Sequence, residues 1–238
     1  QASKAGNCLV AAGPGTSPDV ATRIVTQRLT ELWGGAAFVI ENRSGAAGSL
    51  ASDAVVGAAP DGYTLLMGPS GPIVFAPAVQ SKLPYDSIKS FTPIGIVAGY
   101  PLVLVISADQ PIKSVAELVA YTKANPAKSN YGSSSALFQL ATELFKSKTG
   151  ATVEHIPFKG SLEVTSAIMK GELLMALIDP GAVVPHINSG KLRLLAHSGS
   201  GKSQEFPNTP NLKEQGADVV VDVFSGVLAP AGTPAPIV

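Results

Sequence analysis

Cys8-Leu9-Val10-Ala11-Ala12-Gly13-Pro14-Gly15-Thr16-Ser17-Pro18-Asp19 carries the reading of the fold. Its first five residues form an apolar run of strand length, and Gly13 to Thr16 form a glycine-rich loop. Ser17-Pro18 then reads as an N-cap with proline at the first helical position. Val20, Ile24, Val25, Leu29 and Leu32 put one apolar stripe on the helix that follows, and Gly34-Gly35 ends it.

The same unit recurs outward from there. Ala37 to Ile40 reads as a second strand, and Gly45-Ala46-Ala47-Gly48 leads into a small-residue helix reaching about Ala58. Pro60-Asp61-Gly62 is a turn, and Tyr63 to Met67 is a third strand ending in Gly68-Pro69-Ser70-Gly71. Strand, loop, helix and strand in succession predict a parallel sheet with helices packed on it. Pro, Gly and Ser are dense from Gly68 to Pro93, which predicts loop with short pieces of order. Beyond it, strands are expected at Tyr100 to Ile106, Ser129 to Gly132, Val153 to Phe158, Leu173 to Ile178, Leu192 to Ala196 and Asp218 to Leu228. Ser114-Val115-Ala116-Glu117 is a capping box that opens one of the intervening helices. Others carry Leu137, Leu140, Leu144 and Phe145, Val164 to Met169, and Ala182 to Asn188. Pro236-Ile237-Val238 reads as the start of a further helix, so a truncated chain is expected.

The totals exclude several classes. Among 238 residues, 45% are hydrophobic and 14% charged, which describes a chain that buries a core rather than a disordered one. Lys+Arg and Asp+Glu are 17 each, so no global field attracts nucleic acid or an anionic membrane. Recognition of an anion must therefore be local. Cys8 is the single cysteine, so no internal disulfide forms, and no apolar run reaches the ~18–20 residues a bilayer requires.

Catalytic constellations are missing. Gly199-Ser200-Gly201-Lys202-Ser203 imitates a phosphate loop, but Ala196 stands where its first glycine belongs. No serine occupies a Gly-x-Ser-x-Gly elbow. His155, His186 and His197 lack ligand spacing, so no metal and no cofactor are expected, and Cys8 sits in an apolar strand as inert core. What stands out instead is a set of Gly/Ser/Thr-rich loops after strands: Gly13 to Asp19, Ser44 to Gly48, Gly68 to Gly71, Gly132 to Ser135 and Phe158 to Ser161. Ligands of open α/β sheets bind beyond the carboxyl ends of the strands. Helix N-termini there offer unpaired N–H groups and a partial positive charge, an anion site that needs no net basic charge. Asp19 either complements its helix dipole or locks its loop or a bridging water, and Lys159 reads equally as surface or site.

Several segments together resemble one family. Glu41-Asn42-Arg43-Ser44-Gly45-Ala46-Ala47-Gly48, Ala59-Pro60-Asp61-Gly62-Tyr63-Thr64-Leu65-Leu66 and Lys82-Leu83-Pro84-Tyr85-Asp86 are similar to segments of the tripartite tricarboxylate transporter binding proteins, also called Bug proteins. So are Pro157-Phe158-Lys159-Gly160, Gly190-Lys191-Leu192-Arg193 and Leu228 to Pro234, and the likeness runs from about Gly13 to the last residue.

The resemblance implies a periplasmic, monomeric, two-lobed α/β protein of the type II periplasmic-binding-protein class. Each lobe would hold a mixed sheet with flanking helices, joined by a two-strand hinge at Ala98 to Leu102 and Val223 to Gly226. Residues 1–99 with 225–238 would form one lobe and 100–224 the other. It implies a non-enzymatic role: capture of a small carboxylate in the inter-lobe cleft and delivery to integral-membrane permease subunits. The contact residues carried over are Pro14, Gly15, Thr16, Asp19, Ser70, Gly71, Ser133, Ser134, Ser135, Phe158, Lys159 and Asp179. A ligand sensor for a receptor is one alternative. An α/β enzyme acting on a small acid through Asp19, Lys159 or His155 is another. The first loop departs from the family's Pro-Pro-Gly-Gly, the Gly132 loop is about two residues shorter, and Gln139 stands where many members have His. A shorter, more apolar wall there would suit a longer or aromatic dicarboxylate. The family continues past Val238 with a helix-rich tail.

Overall fold

The apolar run around Cys8 forms β1 (Gly6–Val10), which pairs in parallel with β2 (Phe38–Asn42) and with β3 (Thr64–Pro69). This is a computed structural model, and it describes residues 5–35 and 37–238. Between these strands run α1 (Ser17–Leu32) and α2 (Ser49–Val56), the latter entered through a 3-10 turn at Ala46–Gly48. After β3 the chain makes a wide π-type turn at Gly71–Phe75, a short α3 (Ala76–Val79), and then the long β4 (Phe91–Pro101). The last strand, β10 (Asp222–Pro230), returns antiparallel to β3, completing the sheet order β2-β1-β3-β10-β4.

A second sheet is built from β5 (Val103–Ser107), β6 (Asn130–Ser133), β7 (Glu154–Pro157), β8 (Met175–Ile178) and β9 (Leu192–His197), in the order β7-β6-β8-β5-β9. β6 is parallel to β7 and β8, whereas β5 is antiparallel to β8 and β9. Both sheets thus use one plan. Three parallel strands are ordered second-first-third, and an antiparallel strand is inserted before the next. Every residue of β5 from Val103 to Ile106 is fully buried, as expected of a central strand with both faces covered. Helices α4 (Val115–Ala124), α5 (Ala136–Thr149), α6 (Ser161–Met169) and α7 (Val184–Asn188) accompany this sheet. The α4 start shows one half of the expected capping box, with Ser114 Oγ accepting from the Glu117 N–H at 3.2 Å, while the glutamate reaches one residue further back than the N-cap. Glu117 Oε2 in turn accepts the Lys113 N–H at 2.7 Å. α5 ends on Gly150 at φ 68°, a left-handed cap that suits glycine.

The chain divides into two compact units, Gln1–Gly99 with Phe224–Val238, and Tyr100–Val223. It passes from one to the other inside β4 and again inside β10. The α/β reading with two mixed sheets therefore holds, but three local readings do not. The stretch 91–99, expected to be loop at its start, is strand. Leu102 separates β4 from β5 where one continuous strand was expected. The third difference concerns α1, whose apolar stripe is not its packed face. Val20 and Ile24 are 45% and 65% exposed, and the buried side carries Pro18, Asp19, Thr22 and Thr26. Each threonine donates its hydroxyl back to the carbonyl one turn earlier, Thr22 to Pro18 at 2.7 Å and Thr26 to Thr22 at 2.8 Å. The polar atom is satisfied within the helix, and the methyl is left to pack as an apolar group.

Candidate functional site

In the first unit, the carboxyl ends of the parallel strands bring three loops together. Arg43 N–H donates to Val10 O at 2.9 Å, and Ala11 N–H to Met67 O at 3.2 Å. Gly48 is pressed against its neighbours: a Cβ there would stand 2.9 Å from Pro72 Cγ and 3.0 Å from Ala11 O. The loop after β1, the turn before α2 and the Ser70-Gly71 corner after β3 therefore share one edge of the sheet.

Asp19 fixes the first of these loops. Its carboxylate is 2% exposed and accepts the Gly15 N–H at 2.9 Å, Arg23 Nε at 3.0 Å, Arg23 Nη2 at 3.0 Å and Asn42 Nδ2 at 3.0 Å. Burial alone would raise the Asp19 carboxyl. The Arg23 guanidinium, the Gly15 N–H and the Asn42 amide outweigh it and hold the group below its usual value. Every lone pair is thus engaged internally, and Asp19 orders the loop around Gly15 (φ 76°) rather than reaching outward. Thr16 is also buried, and its hydroxyl donates to Gly13 O at 2.6 Å, leaving α1 with no side-chain cap. Pro14 and Gly15 are exposed at the loop tip.

Two buried hydroxyls on this edge have no partner among the described residues, Ser49 Oγ and Ser70 Oγ. Ser70 follows β3, and Ser49 opens α2, whose N-cap Gly48 (φ 92°) has no side chain to close the helix end. Buried polar atoms are nearly always paired, because leaving one bare costs about 1–3 kcal/mol. Two bare hydroxyls, one of them opening a helix that has no side-chain cap, are donors available to an acceptor. Ser49 was not singled out from the sequence. The glycine loop before it was, and a serine at the first helical position was the available signal.

The second unit repeats the plan. Phe158 N–H donates to Ser133 O at 2.8 Å, and Ser134 Oγ meets Ser161 Oγ at 3.1 Å, so the starts of α5 and α6 adjoin. Ser135 caps α5 by accepting the Phe138 N–H at 3.4 Å, whereas Gly160 leaves α6 without a side-chain cap. Asp179, 3% exposed after β8, caps the Pro180–Ala182 turn through the Ala182 N–H at 3.3 Å. Thr165 Oγ1 reaches Ala182 O at 3.4 Å, tying that turn to α6. Lys159 is exposed at the tip, and its N–H donates to Glu163 Oε2 at 3.1 Å. Ser133 Oγ is held 2.7 Å from His155 Nε2.

Cys8 is buried in β1, and burial pushes its thiol up to about 12, so it behaves as core. Gly199 to Ser203 lies outside helix and strand, and Lys202 is exposed. Among the described residues no His/Cys/Asp/Glu cluster has the grouping of a metal site, and no helix is long and apolar enough to cross a membrane.

The fold and its loops define the class: an α/β solute-binding protein whose strand-end loops present hydroxyls and helix N-termini. Residues 21–238 match the family model described as the tripartite tricarboxylate transporter family receptor, and the chain belongs to that family. It is 35% identical over 224 residues to BugT of Bordetella pertussis, covering 92% of this chain and 68% of BugT. It is 37% identical over 221 residues to a UPF0065 protein of the gbd 5' region in Cupriavidus necator, covering 92% of this chain and 66% of that one. The chain thus spans about two thirds of the length of these relatives. Among solved structures, Rpa4515 of R. palustris with adipate superposes at TM-score 0.95 with 30% identity, over 99% of this chain and 79% of that one. MatC of Rhodopseudomonas palustris with bound malate gives 0.91 and 27%, over 100% and 81%. The periplasmic binding protein BugD gives 0.92 and 25%, over 100% and 80%. The family is one of periplasmic solute-binding receptors, not of enzymes.

Proposed function

We propose that this protein captures a small di- or tricarboxylate and delivers it to a membrane permease of the tripartite tricarboxylate transporter type. The observation that carries the reading is the pair of buried, unpartnered hydroxyls at Ser49, which opens α2, and Ser70, which follows β3. Hydroxyl and amide donors with helix-end partial charge suit a carboxylate, and a chain with no net charge needs such a local device. Ser70, Gly71 and the Pro14–Thr16 loop serve the ligand from the first unit, with Asp19 holding that loop in place. Within the second unit, Ser133, Ser134, Ser135, Phe158 and Lys159 are the candidate contacts, with Asp179 fixing the neighbouring turn. Relatives of this shape hold adipate and malate, which supports a dicarboxylate.

Thermal unfolding against aliphatic and aromatic mono-, di- and tricarboxylates tests this. A ligand at 100 times its Kd adds roughly 2.7 kcal/mol, or about 5–10 °C at this size. A shift confined to one chemical subset is the expected result. No shift from any acid, in protein that unfolds cooperatively, refutes it. Turnover of a bound acid would establish an enzyme instead, and co-purification with a receptor rather than a permease would establish a sensor.

A further inference from the structure

His155 is on β7, beside β6, and its ring does two things. It stacks on Tyr131 with centroids 5.0 Å apart and planes at 30°, and its Nε2 lies 2.7 Å from Ser133 Oγ. Tyr131 is itself immobilised: its hydroxyl donates to Glu143 Oε1 at 2.6 Å, and Lys146 Nζ donates to both Glu143 oxygens at 2.9 and 2.8 Å. Lys146 Nζ also stands 5.8 Å above the Tyr131 ring. The imidazole is thus held from behind by a built stack and aimed at one hydroxyl of the strand-end loop.

That contact has two chemically different forms. With the proton on Nδ1, Nε2 accepts the Ser133 hydroxyl proton, and the serine has nothing to give a ligand. With a proton on Nε2, the ring donates to Ser133 Oγ, and the hydroxyl proton is free to be donated elsewhere. An anion beside Ser133 selects the second form, and the imidazolium, which always donates, strengthens it.

We infer that His155 is a positioning residue for the carboxylate site: it turns the Ser133 hydroxyl proton toward the ligand, so that binding is coupled to protonation of the ring. The inference rests on the carboxylate reading above and deepens it. The charged groups facing the ring are Glu143 and Lys146 of α5. Burial lowers the His155 pKa, Glu143 opposes this and Lys146 adds to it, so the ring gives up its proton more readily than a free imidazole. A bound anion favours the cation, so affinity rises as pH falls.

The test is calorimetric titration of the full chain, from pH 8 to pH 6, with the dicarboxylate that gives the largest thermal shift. Wild type is expected to bind about three- to tenfold more tightly at pH 6, with proton uptake shown by its dependence on buffer ionisation enthalpy. H155L should weaken binding about tenfold, the scale of one hydrogen bond to a charged group, and abolish the pH slope. H155Q, whose amide N–H still donates, should recover part of that loss with no slope, and S133A should lose the slope as well. Melting curves establish that each variant is folded. Tight binding with the same pH slope in wild type, H155Q and S133A overturns the relay alone. Absence of binding by any carboxylate overturns the relay and the functional reading together.

Discussion

On the proposed reading, the bare hydroxyl of Ser70 gives up stability for binding. It is 1% exposed and unpartnered, so Ser70→Ala should leave the melting temperature within about 2 °C of wild type while weakening carboxylate binding about tenfold. Asp19→Ala should behave oppositely. It strips the Gly15 N–H and the Asn42 amide of their acceptor and costs about 2–3 kcal/mol, seen as a fall of roughly 5–10 °C. His197 sets an acid limit. It is buried at the end of β9 and accepts the Gly199 N–H at 3.2 Å through Nδ1. Burial lowers its pKa, outweighing the opposing Glu214 and Asp222. A folded value below the unfolded one means that the unfolded chain binds the proton more readily. The contribution is present above about pH 6.5 and is lost as pH falls below it toward the folded value. His197→Asn, which keeps an acceptor that does not titrate, should flatten the fall in melting temperature between pH 6.5 and 5.

At the scale of elements, the entry into α2 is a tightly constrained joint of the first unit. Gly48 has φ 92°, and an added Cβ would meet the Ala11 carbonyl at 3.0 Å, a backbone atom that cannot move aside. Gly48→Ala should cost about 2 kcal/mol or more, lower the melting temperature by roughly 4–8 °C, and weaken binding because Ser49 moves with it. Gly57→Ala, at the other end of the same helix, is the control. Its φ is −80° and nothing lies closer than 3.9 Å, so it should be neutral. Helix α1 shows why the element scale was only partly legible. Periodicity located the helix, but its packed face is chosen by the sheet beneath it. Threonines that satisfy their own hydroxyls fill that face as well as valines would.

For the whole molecule, equal numbers of acidic and basic residues leave no long-range field to draw an anion in. The association rate with a dicarboxylate should therefore change by less than about threefold between 20 and 300 mM salt. A steep decline would point to a basic funnel that the charge balance does not supply.

The sequence by itself determined the α/β class and the family, and it located the Gly/Ser/Thr-rich loops after the strands, because each rests on local signals: strand-length apolar runs, glycine at forced turns, and caps at helix starts. Its charge balance also means that recognition of an anion would have to be local. Only the tertiary structure decided which donors are bare. Ser49 and Ser70 differ from Thr16 and Ser135 in having no carbonyl or amide within reach, and Ser133 differs in lying against the His155 ring. Whether a hydroxyl is spent or available depends on neighbours brought from distant parts of the chain, which no local pattern encodes.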